Sequence, residues 1–160
     1  DYPDNDPGEN TLLVGKDARQ NIENLHRVMG RLTTYVGVIN YMGARFTSEA
    51  AALDPVMQEI AMRGLLYLDD GSSPRSVAEQ SAGKFKTTFA RADLVIDAVP
   101  TPAEIAGRLA QLEQIARTRG LAVGVASARP ATLKALSGWT TGLDGRGITL
   151  VPITAVPQQN

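Results

Sequence analysis

The chain has 160 residues and a formal net charge of −1, with acidic and basic residues interspersed, no cysteine and one histidine. That length suits one domain with a real core, and the balanced charge lacks the basic footprint of a nucleic-acid binder. Without cysteine there is neither a disulfide framework nor thiolate chemistry, and one His without Cys cannot build a His-rich or thiolate zinc site.

A metal bound by this chain would need oxygen ligands of the kind Mg²⁺ or Ca²⁺ prefers, or ligands from elsewhere. No apolar run is long enough to span a membrane, and no secretory signal is visible at the start. The lack of cysteine is compatible with cytosol and periplasm alike.

Residues 1–11 read as a loop, since the first ten hold three Asp, two Pro, one Gly and two Asn. So turn-rich an opening resembles the middle of a connection, and the expectation is a partial domain whose first strand or strands lie upstream. Over 17–31, Ile22, Leu25, Met29 and Leu32 recur at spacings of three and four, the face of a helix. Residues 35–39 read as a strand, rich in β-branched and aromatic types. Thr47 or Ser48 is expected to cap a short helix. Asp54-Pro55 reads as an N-cap with a first-turn proline, opening a helix that stops at Gly64.

A strand over 65–68 ends at Asp69-Asp70-Gly71. Ser72-Ser73-Pro74 repeats the cap-and-proline pattern and opens a short helix through Val77 and Ala78. A strand at 94–96 follows. Thr101-Pro102-Ala103-Glu104 is a capping box whose helix carries Ile105, Leu109, Leu112 and Ile115 and closes at Gly120. The remainder reads as a strand over 121–126, a helix over 130–143 and a final strand over 148–151.

Strands and helices in alternation, joined by crossovers that hold a helix, imply a parallel sheet. The strands are continuous apolar runs, as when both faces are covered. A parallel barrel and a doubly wound sheet both fit.

In such folds ligands bind at the carboxyl ends of strands. The rule selects Asn40, then Asp69 and Asp70, then Asp97, then Ser127, with Arg45, Ser72, Ser73 and Arg75 in the loops just beyond. Each also has a structural reading: an Asp in Asp-Asp-Gly ties a turn, Asp97 can serve backbone amides before the Thr101 helix, and Ser127 permits a tight turn. His26 lies mid-helix at the edge of an apolar face and reads as a packed or surface residue. Trp139 shares helical spacing with Leu133, Leu136 and Leu143 and reads as core. No phosphate loop of either common type occurs.

The segments Asn40-Tyr41-Met42-Gly43-Ala44-Arg45-Phe46-Thr47, Leu68-Asp69-Asp70-Gly71-Ser72-Ser73 and Val123-Gly124-Val125-Ala126-Ser127-Ala128-Arg129-Pro130-Ala131-Thr132 resemble the divergent polysaccharide deacetylases, within the NodB-like carbohydrate esterases. Asp1-Tyr2-Pro3 and Thr11-Leu12-Leu13 resemble a segment inside that family, so the chain corresponds to its C-terminal two-thirds. The resemblance implies an α/β fold, a distorted (β/α) barrel lacking its first strand or strands, with residues 1–160 forming one partial domain.

It also implies a periplasmic protein of the bacterial envelope, acting on a carbohydrate or peptidoglycan-like polymer. In relatives a zinc-type divalent metal, held by one Asp and two His, polarises the acetamide and activates water. A carboxylate serves there as base and a His as acid. Here Tyr41 stands in the position of a histidine, Ala44 in that of a serine, and Ser127 near where another histidine is expected.

The resulting expectations are Asp69 and Asp97 as catalytic carboxylates, and Asn40, Arg45, Asp70, Ser72 and Ser127 as substrate-binding residues. No metal ligand and no cofactor is expected from this chain itself, a divalent metal belonging, where present, to a full-length protein. Expected partners are the glycan, a cell-wall enzyme or regulator, and a second copy through an exposed sheet edge; nucleic acid is not expected. The alternative is a pseudoenzyme that binds glycan or a cell-wall enzyme without catalysis.

Overall fold

The computed structural model describes residues 8–156, so most of the expected opening loop lies outside the described residues. What is seen of it, up to Thr11, has no helix or strand; Thr11 N and Oγ1 both donate to the Gly8 carbonyl. The chain divides into two compact units, one up to Ala90 and one from Arg91 onward. The architecture is α/β with parallel strand pairings.

In the first unit α1 (Ala18–Met29) starts where the sequence signals it. Asp17 is the N-cap and its carboxylate accepts from Gln20 N at 2.8 Å. The helix buries Leu25 and Met29. Asn21 is also buried on it, and its amide exchanges hydrogen bonds with Leu13 N and Leu13 O at 3.0 Å each, fixing the preceding loop to the helix. β1 (Gly37–Ile39) follows, then α2 (Ala44–Thr47). Thr47 ends this helix rather than opening the next one, and its carbonyl accepts from Val77 N.

The Asp54-Pro55 reading is corrected. Helix α3 runs Ala50–Met62, with Glu49 as N-cap and Pro55 inside it. Proline removes one helical donor and crowds the carbonyl four residues back. Against that cost, Leu53, Val56, Met57 and Ile60 are all at most 2% exposed, so burial of the face holds the helix together across the proline. Asp54 does not cap; it accepts from Ser81 Oγ and Lys84 Nζ, at 2.6 Å each, and so ties α3 to α4.

β2 (Leu66–Asp69) lies between β1 and β3 (Thr88–Arg91), and β1 pairs with β2 in parallel, with Gly37 opposite Leu66. A Cβ at Gly37 would stand 2.5 Å from the Leu66 carbonyl oxygen, so the close approach of the two strands requires glycine there. Strand β3 went unread in the sequence because Thr-Thr-Phe-Ala-Arg has only two apolar residues; both Phe89 and Ala90 are buried. Between them, α4 (Ala78–Phe85) begins after Pro74, not with it.

The second unit pairs β4 (Leu94–Val95) with β5 (Gly124–Val125) in parallel, both shorter than the sequence suggests. Thr101 caps α5 (Pro102–Arg119), accepting from Glu104 N, and Gly120 closes it at φ 81°. Helix α6 (Pro130–Thr140) packs on α5, with Ile96, Ile105 and Leu109 as the buried centre. Trp139 sits in this cluster and donates Nε1–H to Glu113. The expected strand over 148–151 is absent: Leu150 and Val151 are exposed and Pro152 follows, with a 3₁₀ turn at Ile153–Ala155.

Two carboxylates in the first unit govern its acid sensitivity. Lys84, then Ser81, hold the Asp54 carboxyl below its ordinary value, and Arg63, then His26, do the same for Glu59. A carboxylate with a depressed folded-state pKa stabilises the fold above its unfolded pKa and loses that contribution as pH falls through the lower folded value. Urea midpoints measured from about pH 6 down to about pH 2 are therefore expected to fall below about pH 4, and the fall is expected to be shallower in Asp54→Asn and Glu59→Gln.

Candidate functional site

The loop after β1 is built on Asn40. Its Oδ1 accepts from Asp70 N at 3.0 Å and from the Tyr67 hydroxyl at 3.3 Å, and its Nδ2 donates to Met42 O at 3.2 Å. One amide N–H is left over, because an Asn side chain carries two donors. Met42 and Gly43 are successive left-handed residues, φ 58° and 77°, which turn the chain sharply into α2. Non-glycine residues in that region cost energy and persist where the surroundings hold them; here Asn40 holds the turn. Tyr41 is 75% exposed at its tip, and Arg45 is exposed on α2.

The loop after β2 meets it. Asp69 is 2% exposed. Its Oδ1 accepts from Gly71 N at 2.8 Å and its Oδ2 from Ser76 Oγ at 2.5 Å. Asp70 is half-buried and accepts from Ser72 N at 2.9 Å, leaving Ser72 exposed. Ser73 is buried, and its hydroxyl accepts from Arg75 N. Burial pushes the Tyr67 hydroxyl well above its ordinary range, with Asp69 and Asp70 adding to the effect. The hydroxyl therefore stays protonated as the donor to Asn40.

In the second unit Asp97 is the counterpart. It is 4% exposed. Both its oxygens accept from Ser127 N, at 3.1 and 3.0 Å, and Oδ2 also accepts from Thr132 Oγ1 at 2.9 Å. Thr132 is fully buried, whereas Ser127 is exposed after β5.

The strand-end rule thus brings Asn40 and Asp70 into contact, with Asp69 alongside, and separately brings Asp97 to Ser127. Tyr67, Ser76 and Thr132 complete these networks. None was selected from the sequence, although Ser76 stands in the polar run that follows Asp70 and Thr132 in the first turn of a proline-opened helix.

Among the described residues no three His, Cys, Asp or Glu side chains stand together as a metal site. The one histidine, His26, lies on α1 with Nε2 2.6 Å from Glu59 Oε1, and Arg63 beside it. The described residues do not by themselves supply a zinc donor set. What they offer is hydrogen bonding and buried carboxylates.

The sequence profile of the divergent polysaccharide deacetylases matches residues 1–156. The chain belongs to the divergent polysaccharide deacetylase family. Among solved structures it is similar to that of an uncharacterized protein, ATU2773, from Agrobacterium tumefaciens C58, with 46% identity and a TM-score of 0.95. The match covers 98% of this chain and 63% of that one. Curated proteins give no significant match. The matched range takes in the motifs at residues 40–47, 68–73 and 123–132.

Proposed function

We propose that this protein is a divergent deacetylase-like member of its family, acting on a carbohydrate or peptidoglycan-like polymer of the bacterial envelope, in the periplasm. The observation that carries the reading is the family match over nearly the whole chain. The parallel pairings β1–β2 and β4–β5 are those a distorted (β/α) barrel needs.

Asn40, with its unused amide N–H, Arg45, Asp70 and Ser72 would hold glycan in the first unit, and Ser127 would do so in the second. Asp69 and Asp97 would be the carboxylates of the reaction, each a base for water attacking the acetamide. The positions of Tyr41 and Ser127 replace imidazoles by hydroxyls, so any divalent metal would depend on ligands outside this set.

A second reading has its own support. The oxygens of Asp69 and Asp97 already accept hydrogen bonds from their own loops, which is what carboxylates retained for shape would do in a pseudoenzyme that binds glycan or a cell-wall enzyme.

Acetate release from chitooligosaccharide and from peptidoglycan, with metal analysis and glycan binding on the same preparation, separates the two. Catalysis predicts acetate from the wild type and none from Asp69→Asn or Asp97→Asn. Binding without acetate selects the pseudoenzyme, and neither binding nor acetate overturns both. Asn40→Ala is expected to weaken glycan binding about two- to tenfold, the worth of one hydrogen bond.

A further inference from the structure

The turn after β1 keeps a conformation that its residue types disfavour. Met42 is left-handed at φ 58° without being glycine, and Gly43 follows at φ 77°. Asn40 Nδ2 donates to the Met42 carbonyl at 3.2 Å and so sustains the strain. The turn displays its side chains: Tyr41 is 75% exposed and Met42 41%. A single exposed apolar residue is ordinary on a surface, but an aromatic ring held out by a strained turn points to a contact.

Arg45 follows, exposed in the first turn of α2. Its carbonyl accepts from Ser48 N and from Ser48 Oγ, which pins the backbone beneath the side chain. Among the described residues neither the Arg45 guanidinium nor the Tyr41 hydroxyl has a hydrogen-bond or ion-pair partner. Arg63, Arg117 and Arg119, by contrast, each face a carboxylate. Tyr41 and Arg45 line one cavity together with Asn40.

The two side chains offer complementary chemistry. A pyranose ring presents an apolar C–H face, and a tyrosine ring meets it with the negative face of its π-system. The guanidinium is a permanent cation whose planar fork of donors matches a carboxylate in two parallel hydrogen bonds. A neutral sugar would offer that fork only hydroxyls. Asp70, on the neighbouring loop, accepts from Ser72 N, and its remaining lone pairs suit sugar hydroxyl donors.

We propose that Tyr41 and Arg45 form a subsite for an acidic sugar, its ring face stacked on Tyr41 and its carboxylate held by Arg45. The inference rests on the glycan reading above and narrows it to polymers whose sugars carry a carboxylate, as a uronic acid or a lactyl ether. Tyr41 reads the ring and Arg45 reads the charge, so the two contributions are separable.

The test is calorimetric binding of three matched tetrasaccharides to the protein. They are chitotetraose, the analogue in which alternate N-acetylglucosamine units carry a 3-O-lactyl carboxylate, and the methyl ester of that analogue. The acid is expected to bind about three- to tenfold more tightly than the ester or chitotetraose, the worth of a charge-assisted pair at an exposed site. The gap should narrow as salt rises.

Arg45→Gln is expected to close the gap between acid and ester, and Arg45→Lys, which keeps the charge but not the fork, to preserve part of it. Tyr41→Ala should weaken all three ligands by about three- to tenfold, and Tyr41→Phe, which keeps the ring, should restore them. Both residues are exposed, so unchanged urea midpoints are expected of every variant.

Equal binding of acid and ester by the wild type, or a gap that survives Arg45→Gln, overturns the carboxylate assignment and leaves the glycan reading standing. Undiminished binding by Tyr41→Ala overturns the stack. No binding of any of the three to the wild type removes the inference along with the glycan reading.

Discussion

Ile60→Ala is expected to lower the unfolding free energy of the first unit by about 2–5 kcal/mol, the usual cost of truncating a fully buried aliphatic side chain. Ile60 has no exposed surface and stands on α3, the helix that contacts α1, α2, α4 and β2. The helices and the strand packed around α3 leave little that can move in to fill the space. Met62→Ala, two residues on and 70% exposed, should change stability by no more than about 0.5 kcal/mol. Urea denaturation of both variants, followed by far-ultraviolet circular dichroism, checks the pair. Equal midpoints would show that α3 is not the organiser of this unit.

Asp97→Ala should destabilise the second unit by about 1.5–3 kcal/mol. The carboxylate joins the end of β4 to the loop after β5 and to the first turn of α6. Removing it leaves the buried Thr132 hydroxyl without its acceptor, and that desolvation is the larger part of the loss.

Asp97→Asn keeps an acceptor oxygen and should recover part of the stability while abolishing any role as a base. A variant that is stable but inactive would place Asp97 in the chemistry. One whose activity tracks its stability would make it a holder of the loop. Trp139, in the same unit, supplies a fluorescence signal for the unfolding.

Much of the helix punctuation was legible because it is local chemistry. Asp17 and Thr101 have side chains that reach the first-turn amides, and Gly120 tolerates a left-handed backbone. These signals need no knowledge of the rest of the chain. Pro55 misled because its local preference for a first turn was outweighed by the burial of four side chains on α3, a tertiary effect. The stretch at 148–151 misled for the opposite reason, since apolar residues do not make a strand without a neighbour to pair with.

The strand-end rule selected Asn40, Asp69, Asp70, Asp97 and Ser127, and each lies at or just beyond the end of a strand. It could not find Tyr67 or Thr132, because these partners are defined by which loop returns to which strand, 27 and 35 residues away. The family resemblance was legible from short motifs because they keep both order and spacing.

Asn40 has a mechanical consequence. A single oxygen receives the Asp70 amide from one loop and the Tyr67 hydroxyl from the strand below, while the amide nitrogen of the same side chain holds the Met42 carbonyl. The turn at 40–43 and the turn at 69–72 are therefore yoked: displacing one strains the other. A ligand gripping Tyr41 or Arg45 would transmit its pull to Asp70 and, through the backbone, to the buried Asp69. The two loops act as one jaw hinged on a carboxamide, and their motions should share a single relaxation time.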